Sequence, residues 1–322
     1  MASNIDEYYI SQEFDSILEN YIYHKKNTLK VLDLLGDNYV FNKYTNDDKS
    51  NYNALKYCGT HLTFNSDKHL IAANFCRQRI CPMCQYRRSI KMFVQMYEVV
   101  KVLEDKYRFL HLVLTVPNVN DGKELVDGIR FLYKSYNKLM SYKCTKSTIK
   151  GALRCCEVSY NYENDTFHPH LHILLVVPPS YFTDSKRYIK YDKWVELWQK
   201  ACSSDIPYQV SIRAIKKGDY AGVAEVCKYC VKPLDFNKGN DYQNQRMLLT
   251  MWHTCKGMRF MQKYGVLKDT YNQIWKNDNE DDIINIGGEV EDNVEKVEKY
   301  IVSYEWNFDT QKYERRICEA IT

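Results

Sequence analysis

Residues 165–177 read DTFHPHLHILLVV and place three of the chain's eight histidines directly before an apolar run. The run is rich in branched aliphatic residues and two prolines follow it, which predicts a buried strand. Side chains alternate between the two faces of a strand, so His170 and His172 project to one side while Leu171 and Ile173 project to the other. The stretch therefore predicts a strand that carries two imidazoles into one site.

A second strand-like run precedes this stretch, and the polar tip at residues 164–165 predicts a hairpin turn between the two runs. Such a turn sets Glu157 opposite His172 and Ser159 opposite His170. A carboxylate and two imidazoles on one face can hold a divalent cation and leave coordination positions open for a substrate. The alternative is that the histidines cap a hydrophobic strand and bond only to backbone.

His168 is a further candidate ligand for the same cation. Pro169 distorts the strand next to it, which can leave His168 at the rim of the site. From the rim, this imidazole could still coordinate the ion or bind a phosphate.

Residues 224–232, AEVCKYCVK, form a second candidate group. Glu225 and Tyr229 are four positions apart on a predicted helix and share a face, and Lys232 lies about one turn further on. A phenol becomes a nucleophile when a cation favours its anion, and a carboxylate can take a proton from water. The same spacing is common on solvated helix surfaces, so the pattern alone leaves both interpretations open.

The cysteines form the third candidate group. The chain has twelve of them, and in a reducing compartment that number favours metal ligands or buried thiols over disulfides. Cys81 and Cys84 form a CPMC knuckle that presents two thiolates to one metal, and Cys58 and Cys76 complete a tetrahedral set. The spacing predicts a zinc site.

Basic residues surround these cysteines and alternate with aromatic residues, which fits contact with a phosphate backbone. The candidate DNA-binding residues are Arg77, Arg79, Arg87, Arg88 and Lys91. The alternative is a purely structural zinc clip with solvated arginines. His61 and His69 are substitute candidates for the zinc ligands.

The length and charge of the chain limit the classes of protein to which it can belong. The 322 residues are enough for one sizeable core and a smaller module. The net charge of +4 combines an acidic final segment of about fifty residues with a basic remainder. No apolar segment approaches the length of a membrane span and the first residues lack a secretion signal, so a cytoplasmic protein is expected.

The predicted elements follow the order strand, helix, hairpin, helix, strand, helix. This order predicts an α+β fold with a ferredoxin-like antiparallel sheet flanked by helices. We predict N-terminal helices and a linker at 1–50, a cysteine-rich, zinc-binding and basic DNA-binding module at 51–92, a main domain at 93–275 and an acidic tail at 276–322. Within that tail, residues 300–316 could instead form a final strand pair.

The motifs FLHLVLTV (residues 109–116), HPHLH and EVCKYCVK, in this order, resemble the three motifs of the HUH endonucleases. The resemblance is to the replication initiators of small rolling-circle plasmids from Gram-positive bacteria, in which the tyrosine follows the histidine motif. It extends upstream through the cysteines and covers roughly residues 57–267. His111 departs from the first motif, where a small hydroxyl residue is common, and YGVLKD (residues 264–269) replaces a more usual Gly-Gly form.

The resemblance implies a metal-dependent, site-specific DNA endonuclease and strand transferase, with residues 93–275 as the HUH nicking domain. In that family the histidine pair holds Mg²⁺ or Mn²⁺. By resemblance, His170 and His172 are metal ligands and Glu157 is the expected third ligand.

The resemblance also implies the residues of the chemical step. Tyr229 is the implied nucleophile and would form a 5′-phosphotyrosine intermediate with a free 3′-hydroxyl. Glu225 would activate water at termination, and Lys232 or Lys228 would stabilise developing negative charge.

The implied partners are plasmid double-strand origin DNA, single-stranded hairpin DNA, a host helicase and a DNA polymerase, with no membrane. The chain could also form a homodimer. The alternatives in function are an HUH-type transposase and a non-catalytic, zinc-containing DNA-binding regulator.

Overall fold

The computed structural model describes residues 3–36, 46–229, 238–254, 257–276, 278–279, 282–284, 286 and 300–320. The chain forms two compact units. The first combines residues 1–88 with residues 280–322, and the second is the continuous segment 89–279.

The helices are α1 (Ser3–Leu35), α2 (Asn46–Lys56), α3 (Pro82–Leu103), α4 (Gly122–Ser141), α5 (Lys143–Thr148), α6 (Tyr191–Cys202), α7 (Tyr220–Tyr229), α8 (Asp241–Thr254) and α9 (Gly265–Ile274). The strands are β1 (His61–Asn65), β2 (Leu70–Ala73), β3 (Arg108–Thr115), β4 (Gly151–Asn161), β5 (Thr166–Val177), β6 (Val210–Ile215), β7 (Met261–Tyr264), β8 (Tyr300–Asn307) and β9 (Lys312–Ala320). Across the described ranges, none of the helices has the length and apolar character needed to cross a membrane.

The first unit contains an antiparallel sheet with the strand order β2-β1-β8-β9. Helix α1 packs on it through aromatic side chains: the rings of Phe14 and Tyr21 lie 5.6 and 5.7 Å from the ring of Phe64. Residues 300–320 thus form a hairpin of a folded sheet. This agrees with the alternative of a final strand pair at 300–316. It differs from the predicted separate tail at 276–322, because strand pairing between distant parts of a chain leaves no mark on local composition.

The second unit contains a five-stranded sheet with the order β6-β3-β5-β4-β7, and all neighbouring strands are antiparallel. Strands β3 and β5 are central and are buried along most of their length, as their apolar runs predict. The prediction of an α+β fold with an antiparallel sheet flanked by helices is confirmed.

The β4–β5 hairpin has a different register from the predicted one. Glu157 pairs with His170, and Ser159 pairs with His168, whereas the prediction placed Glu157 opposite His172. The shift is two residues. Because side chains alternate with a period of two, an even shift keeps every side chain on its predicted face.

The shift arises from the length of the turn. The strand pairing ends at Asn161 and Thr166, which leaves the four-residue turn 162–165 between the strands. The side-chain oxygen of Asn161 accepts hydrogen bonds from the backbone N–H groups of Glu163 (2.9 Å) and Asn164 (3.1 Å). An asparagine that caps its own turn in this way starts the turn earlier than the polar tip suggests.

One face of this sheet packs against α3, α7 and α9. Leu174 of β5 belongs to the same buried cluster as Val99 of α3, Val226 of α7 and Leu267 of α9. Alternation puts His172, two residues before Leu174, on that face as well. The histidine motif therefore lies on the face that helix α7 covers.

Candidate metal centre and its neighbours

Three of the predicted ligands converge on one point of the sheet. Oε2 of Glu157 lies 3.2 Å from Nε2 of His170 and 3.1 Å from Nε2 of His172. The three side chains are only 6, 12 and 8% exposed, respectively. Their ligand atoms all lie within 4.8 Å of one another, close enough to hold one metal ion.

The chemistry of these donors fits a divalent cation. A buried carboxylate is costly unless a positive charge faces it, and two imidazole nitrogens with one carboxylate oxygen suit a first-row divalent metal. Nδ1 of His170 lies 3.0 Å from the carbonyl oxygen of His168, which accepts the Nδ1 proton and leaves Nε2 as the coordinating atom. The prediction of one site for these three side chains agrees with their placement.

His168 lies beside this group but is not part of it. Its Nδ1 is 2.7 Å from Oδ1 of Asn118, and its ring centroid lies 5.0 Å from that of His170. Burial and the neighbouring His170 lower the pKa of His168. Its position beside the three side chains agrees with the place at the rim expected from Pro169, and a role as ligand stays a prediction.

His111 forms a second layer behind the metal centre. It lies on β3, is buried, and its Nε2 is 3.1 Å from Nδ1 of His172. Burial, His172 and Arg213 lower the pKa of His111 to about 4. The sequence marked His111 only as a departure from the family motif, because the partner of β3 in the sheet was unknown.

Arg213 joins this layer to helix α7. It stands opposite His111 in the β3–β6 pairing, and its Nε donates to Nδ1 of His111 over 3.3 Å. Its Nη2 forms an ion pair with Oε2 of Glu225. Arg213 was not among the predicted site residues, although the strand-like alternation around it would have placed it on one face of β6.

Helix α7 places Glu225 beside Arg213 of β6, and its role in the reaction stays a prediction. Val223 and Val226 are buried in the core, so the helix is anchored on the sheet and Glu225 faces Arg213. Helix α7 ends at Tyr229, and the side chains of Tyr229 and Lys228 lie outside the described part of the structure. Lys232 also lies outside the described residues, so the roles of these three side chains stay predictions.

The four predicted zinc ligands lie together in the first unit. The Sγ atom of Cys58 is 3.5 Å from those of Cys81 and Cys84, and Sγ of Cys76 is 3.6 Å from that of Cys84. Tetrahedral zinc with bonds of about 2.3 Å sets its sulfur ligands about 3.8 Å apart. Backbone N–H groups of Cys76 and Arg77 also point at the sulfurs of Cys58 and Cys84. The cluster therefore fits a tetrathiolate metal site.

Lys25 of α1 is a buried cation beside the cysteines. Its side chain is fully buried, and Nζ donates to the carbonyl oxygens of Lys56 (2.7 Å) and Cys58 (2.8 Å). Burial lowers the pKa of Lys25 to about 8, while the neighbouring cysteines act in the opposite direction. An ammonium at this position offsets part of the negative charge that four thiolates bring to a metal.

Two of the predicted DNA contacts are buried. Arg87 donates to the carbonyl oxygen of Ile283 and to the hydroxyl of Tyr21, both over 2.9 Å. Lys91 forms an ion pair with Asp278 over 2.6 Å. These two side chains tie chain segments to α3 and are not offered to DNA. The prediction is corrected for them because the spacing of basic residues on a helix does not reveal which face is covered.

The other three predicted DNA contacts are more accessible. Arg77 is exposed, and Arg79 and Arg88 are half-buried. Arg88 donates to the side-chain oxygen of Gln85 over 3.0 Å. DNA contact stays a prediction for these three residues.

Comparison with known proteins assigns the family. A model of the family Rep_1, described as replication protein, matches residues 67–314. Protein rep of Lactiplantibacillus plantarum is 33% identical over 275 residues, which cover 80% of this chain and 86% of that protein. Protein rep of Streptococcus pneumoniae serotype 2 is 31% identical over 270 residues, covering 80% and 82%. Protein rep of Staphylococcus aureus is 32% identical over 208 residues, covering 62% and 90%.

No solved structure is significantly similar to this chain. The family match includes the cysteine cluster from Cys76 onward, the histidine motif and helix α7. It confirms the resemblance to rolling-circle replication initiators, and the chain belongs to the replication protein family.

Proposed function

We propose that this chain starts rolling-circle replication of a plasmid by nicking and rejoining one strand of origin DNA in the bacterial cytoplasm. Its second unit would be the HUH nicking domain, of ferredoxin-like type. The observation that supports this proposal is the convergence of Glu157, His170 and His172 beside helix α7. That helix carries Glu225 and ends at Tyr229.

In the proposed step, the phenol oxygen of Tyr229 attacks the scissile phosphorus. The phenol loses its proton as the new bond forms, and the bond from phosphorus to the 3′-oxygen breaks. The 3′-oxygen takes up a proton and leaves as a hydroxyl, and the 5′-phosphate stays on Tyr229. A Mg²⁺ or Mn²⁺ ion held by Glu157, His170 and His172 would withdraw charge from the phosphate oxygens. Lys228 or Lys232 would stabilise the charge that develops in the transition state.

The cysteine cluster would hold Zn²⁺ and keep the first unit folded around it. Arg77, Arg79 and Arg88 would contact the phosphate backbone of the double-strand origin. The chain would pass the nicked DNA to a host helicase and polymerase.

The direct test is to incubate the full-length protein with Mn²⁺ and a labelled single-stranded oligonucleotide that carries the origin hairpin. We expect a covalent adduct between the protein and the 5′-phosphate of the DNA end that the cut creates, and proteolysis should leave the peptide that contains Tyr229 attached. Origin binding with no cleavage under any metal would favour a regulator. Cleavage of transposon ends in preference to a plasmid origin would favour a transposase.

Glu225→Ala is expected to leave the first nick intact and to slow strand closure about 10²-fold. Glu225 is proposed as the base that takes a proton from the water used at termination, and loss of a general base costs about this much. The measurement is the release of closed circles from a plasmid substrate, compared with nicking of the same substrate. Normal circle release by the variant would remove Glu225 from this role.

Lys25→Met is expected to speed zinc release from the cysteine cluster about 10- to 100-fold, the usual effect of losing a residue that supports metal ligands. The zinc tetrathiolate carries two net negative charges, and Lys25 offsets one of them inside the fold. Transfer of zinc from the loaded protein to a coloured chelator measures the rate. Lys26→Met is the matched control because it removes the same charge from an exposed neighbour; equal rates for both variants would contradict the prediction.

A further inference from the structure

The two histidines of the metal centre differ in how their second ring nitrogen is held. Nδ1 of His170 lies 3.0 Å from the carbonyl oxygen of His168, which can only accept a hydrogen bond. That nitrogen therefore carries a proton, and Nε2 of the same ring lies 3.2 Å from Oε2 of Glu157. Nδ1 of His172 instead lies 3.1 Å from Nε2 of His111, so either ring could be the donor.

Arg213 decides the direction of this hydrogen bond. Its Nε donates to Nδ1 of His111, and a guanidinium N–H never accepts. Nδ1 of His111 must then hold a lone pair, and Nε2 of the same ring must carry the proton. That proton is donated to Nδ1 of His172, which leaves the His172 proton on Nε2, the ring nitrogen that lies 3.1 Å from Oε2 of Glu157.

A divalent cation needs the lone pair of Nε2 of His172, the atom that this arrangement protonates. We propose that metal binding at Glu157, His170 and His172 and the hydrogen bond from Arg213 to His111 exclude one another, so that the metal controls the position of Arg213. The inference rests on the metal site of the proposed function and is independent of nicking.

The protons balance when the direction reverses. In His172 and in His111 the single ring proton moves from Nε2 to Nδ1, so Nδ1 of His172 becomes the donor to Nε2 of His111. Nδ1 of His111 then carries an N–H that faces the N–H of Arg213, and two donors cannot share a hydrogen bond. Arg213, which is about half exposed, turns away from the ring and keeps its ion pair with Glu225.

This reversal gives Arg213 a role in the loaded site. Its Nε–H, released from His111, is free to donate to a phosphate oxygen of bound DNA, and a guanidinium is suited to phosphate. Arg213 then becomes available to substrate only when the metal is present. The same contact makes metal binding weaker than it would be without Arg213.

The tautomers of the rings are the first test. Long-range ¹H–¹⁵N spectra of the full-length protein with labelled histidine report which nitrogen of each ring carries the proton. Without added metal we expect Nε2–H for His111 and His172 and Nδ1–H for His170. Saturating Mg²⁺ should convert His111 and His172 to Nδ1–H. Nδ1–H on His172 before metal is added would overturn the proposal.

A double-mutant cycle on Mn²⁺ affinity is the second test. Arg213→Met removes the opposing donor and is expected to tighten Mn²⁺ binding about three- to tenfold, the usual worth of one hydrogen bond. Loss of the Arg213 positive charge also favours cation binding, whether or not His111 is present. The substitution is therefore repeated in a His111→Phe background, where the hydrogen bond is already absent. A gain that needs His111 supports the coupling, and an equal gain in both backgrounds overturns it.

Arg130→Met is the matched control, since Arg130 is an exposed arginine of α4 paired with Asp127, and it should leave the Mn²⁺ affinity unchanged. These measurements use metal alone, so their outcome is separate from nicking. Wild-type protein that binds no Mn²⁺ would overturn both the metal site and the coupling, whereas binding with equal gains would overturn the coupling only. If His111→Phe is unfolded by circular dichroism, the tautomer spectra of the wild-type protein decide alone.

Discussion

Tyr229→Phe is expected to abolish the covalent adduct between this protein and a single-stranded origin oligonucleotide. The proposed step makes the phenol oxygen the nucleophile, and a phenyl ring has no atom that can bond to phosphorus in its place. We expect the cleavage rate to fall by at least about 10⁴-fold while DNA affinity changes little. The readout is a labelled band that survives denaturing electrophoresis.

Tyr220→Phe is the matched control for this experiment. Tyr220 is the first residue of the same helix, and its hydroxyl donates to Glu104 at 2.9 Å, on a side chain with no assigned part in the chemistry. It should cleave at the wild-type rate. An adduct that persists in Tyr229→Phe would show that another residue is the nucleophile. Glu225 of helix α7 would then keep its proposed role in the reaction.

His172→Ala is expected to lower metal-dependent cleavage about 10³-fold, because the variant keeps only two of the three converging donors and loses most of the charge withdrawal at the phosphate. Origin binding should be largely retained, since phosphate contacts elsewhere supply much of it. Chelation of the cation in the wild-type protein should have the same two effects. Cleavage and binding are measured on the same labelled oligonucleotide.

His253→Ala is the control, since His253 is an exposed histidine of α8. It should match the wild-type protein in cleavage and in metal affinity. Full cleavage by His172→Ala, or cleavage by the wild-type protein in excess chelator, would contradict the assignment of the metal centre. Loss of binding together with cleavage would indicate that the substitution disturbs the fold instead.

The composition of the metal centre could be predicted because strand alternation is a local property. His170 and His172 share a face whatever their partner strand does, and Glu157 stays on that face under any even error in register. The actual pairing of Glu157 with His170 depends on the turn, where the side chain of Asn161 competes for backbone N–H groups. The periodicity of the strands does not show these hydrogen bonds, because they are confined to the turn.

His111 and Arg213 could not be predicted as part of the site. Their contact requires β3 and β6 to be neighbours, and His111 and its facing residue Arg213 are 102 positions apart in the sequence. No local pattern links them. The same holds for Lys25, which looks like one more lysine of an amphipathic helix until α1 is packed. Side chains that act through a second residue reach it by tertiary contacts, which the local sequence does not show. Direct metal ligands, in contrast, form short motifs that can be recognised in the sequence.

The pairing of β1 with β8 has a consequence for the order in which the protein is made. The ribosome finishes the second unit when residue 279 has been added, since that unit is continuous. The first unit has to wait for residues 300–320, because β1 has its partner β8 only then. Until that moment β1 offers a bare edge to other chains. Translation therefore completes the second unit before the sheet of the first unit can close.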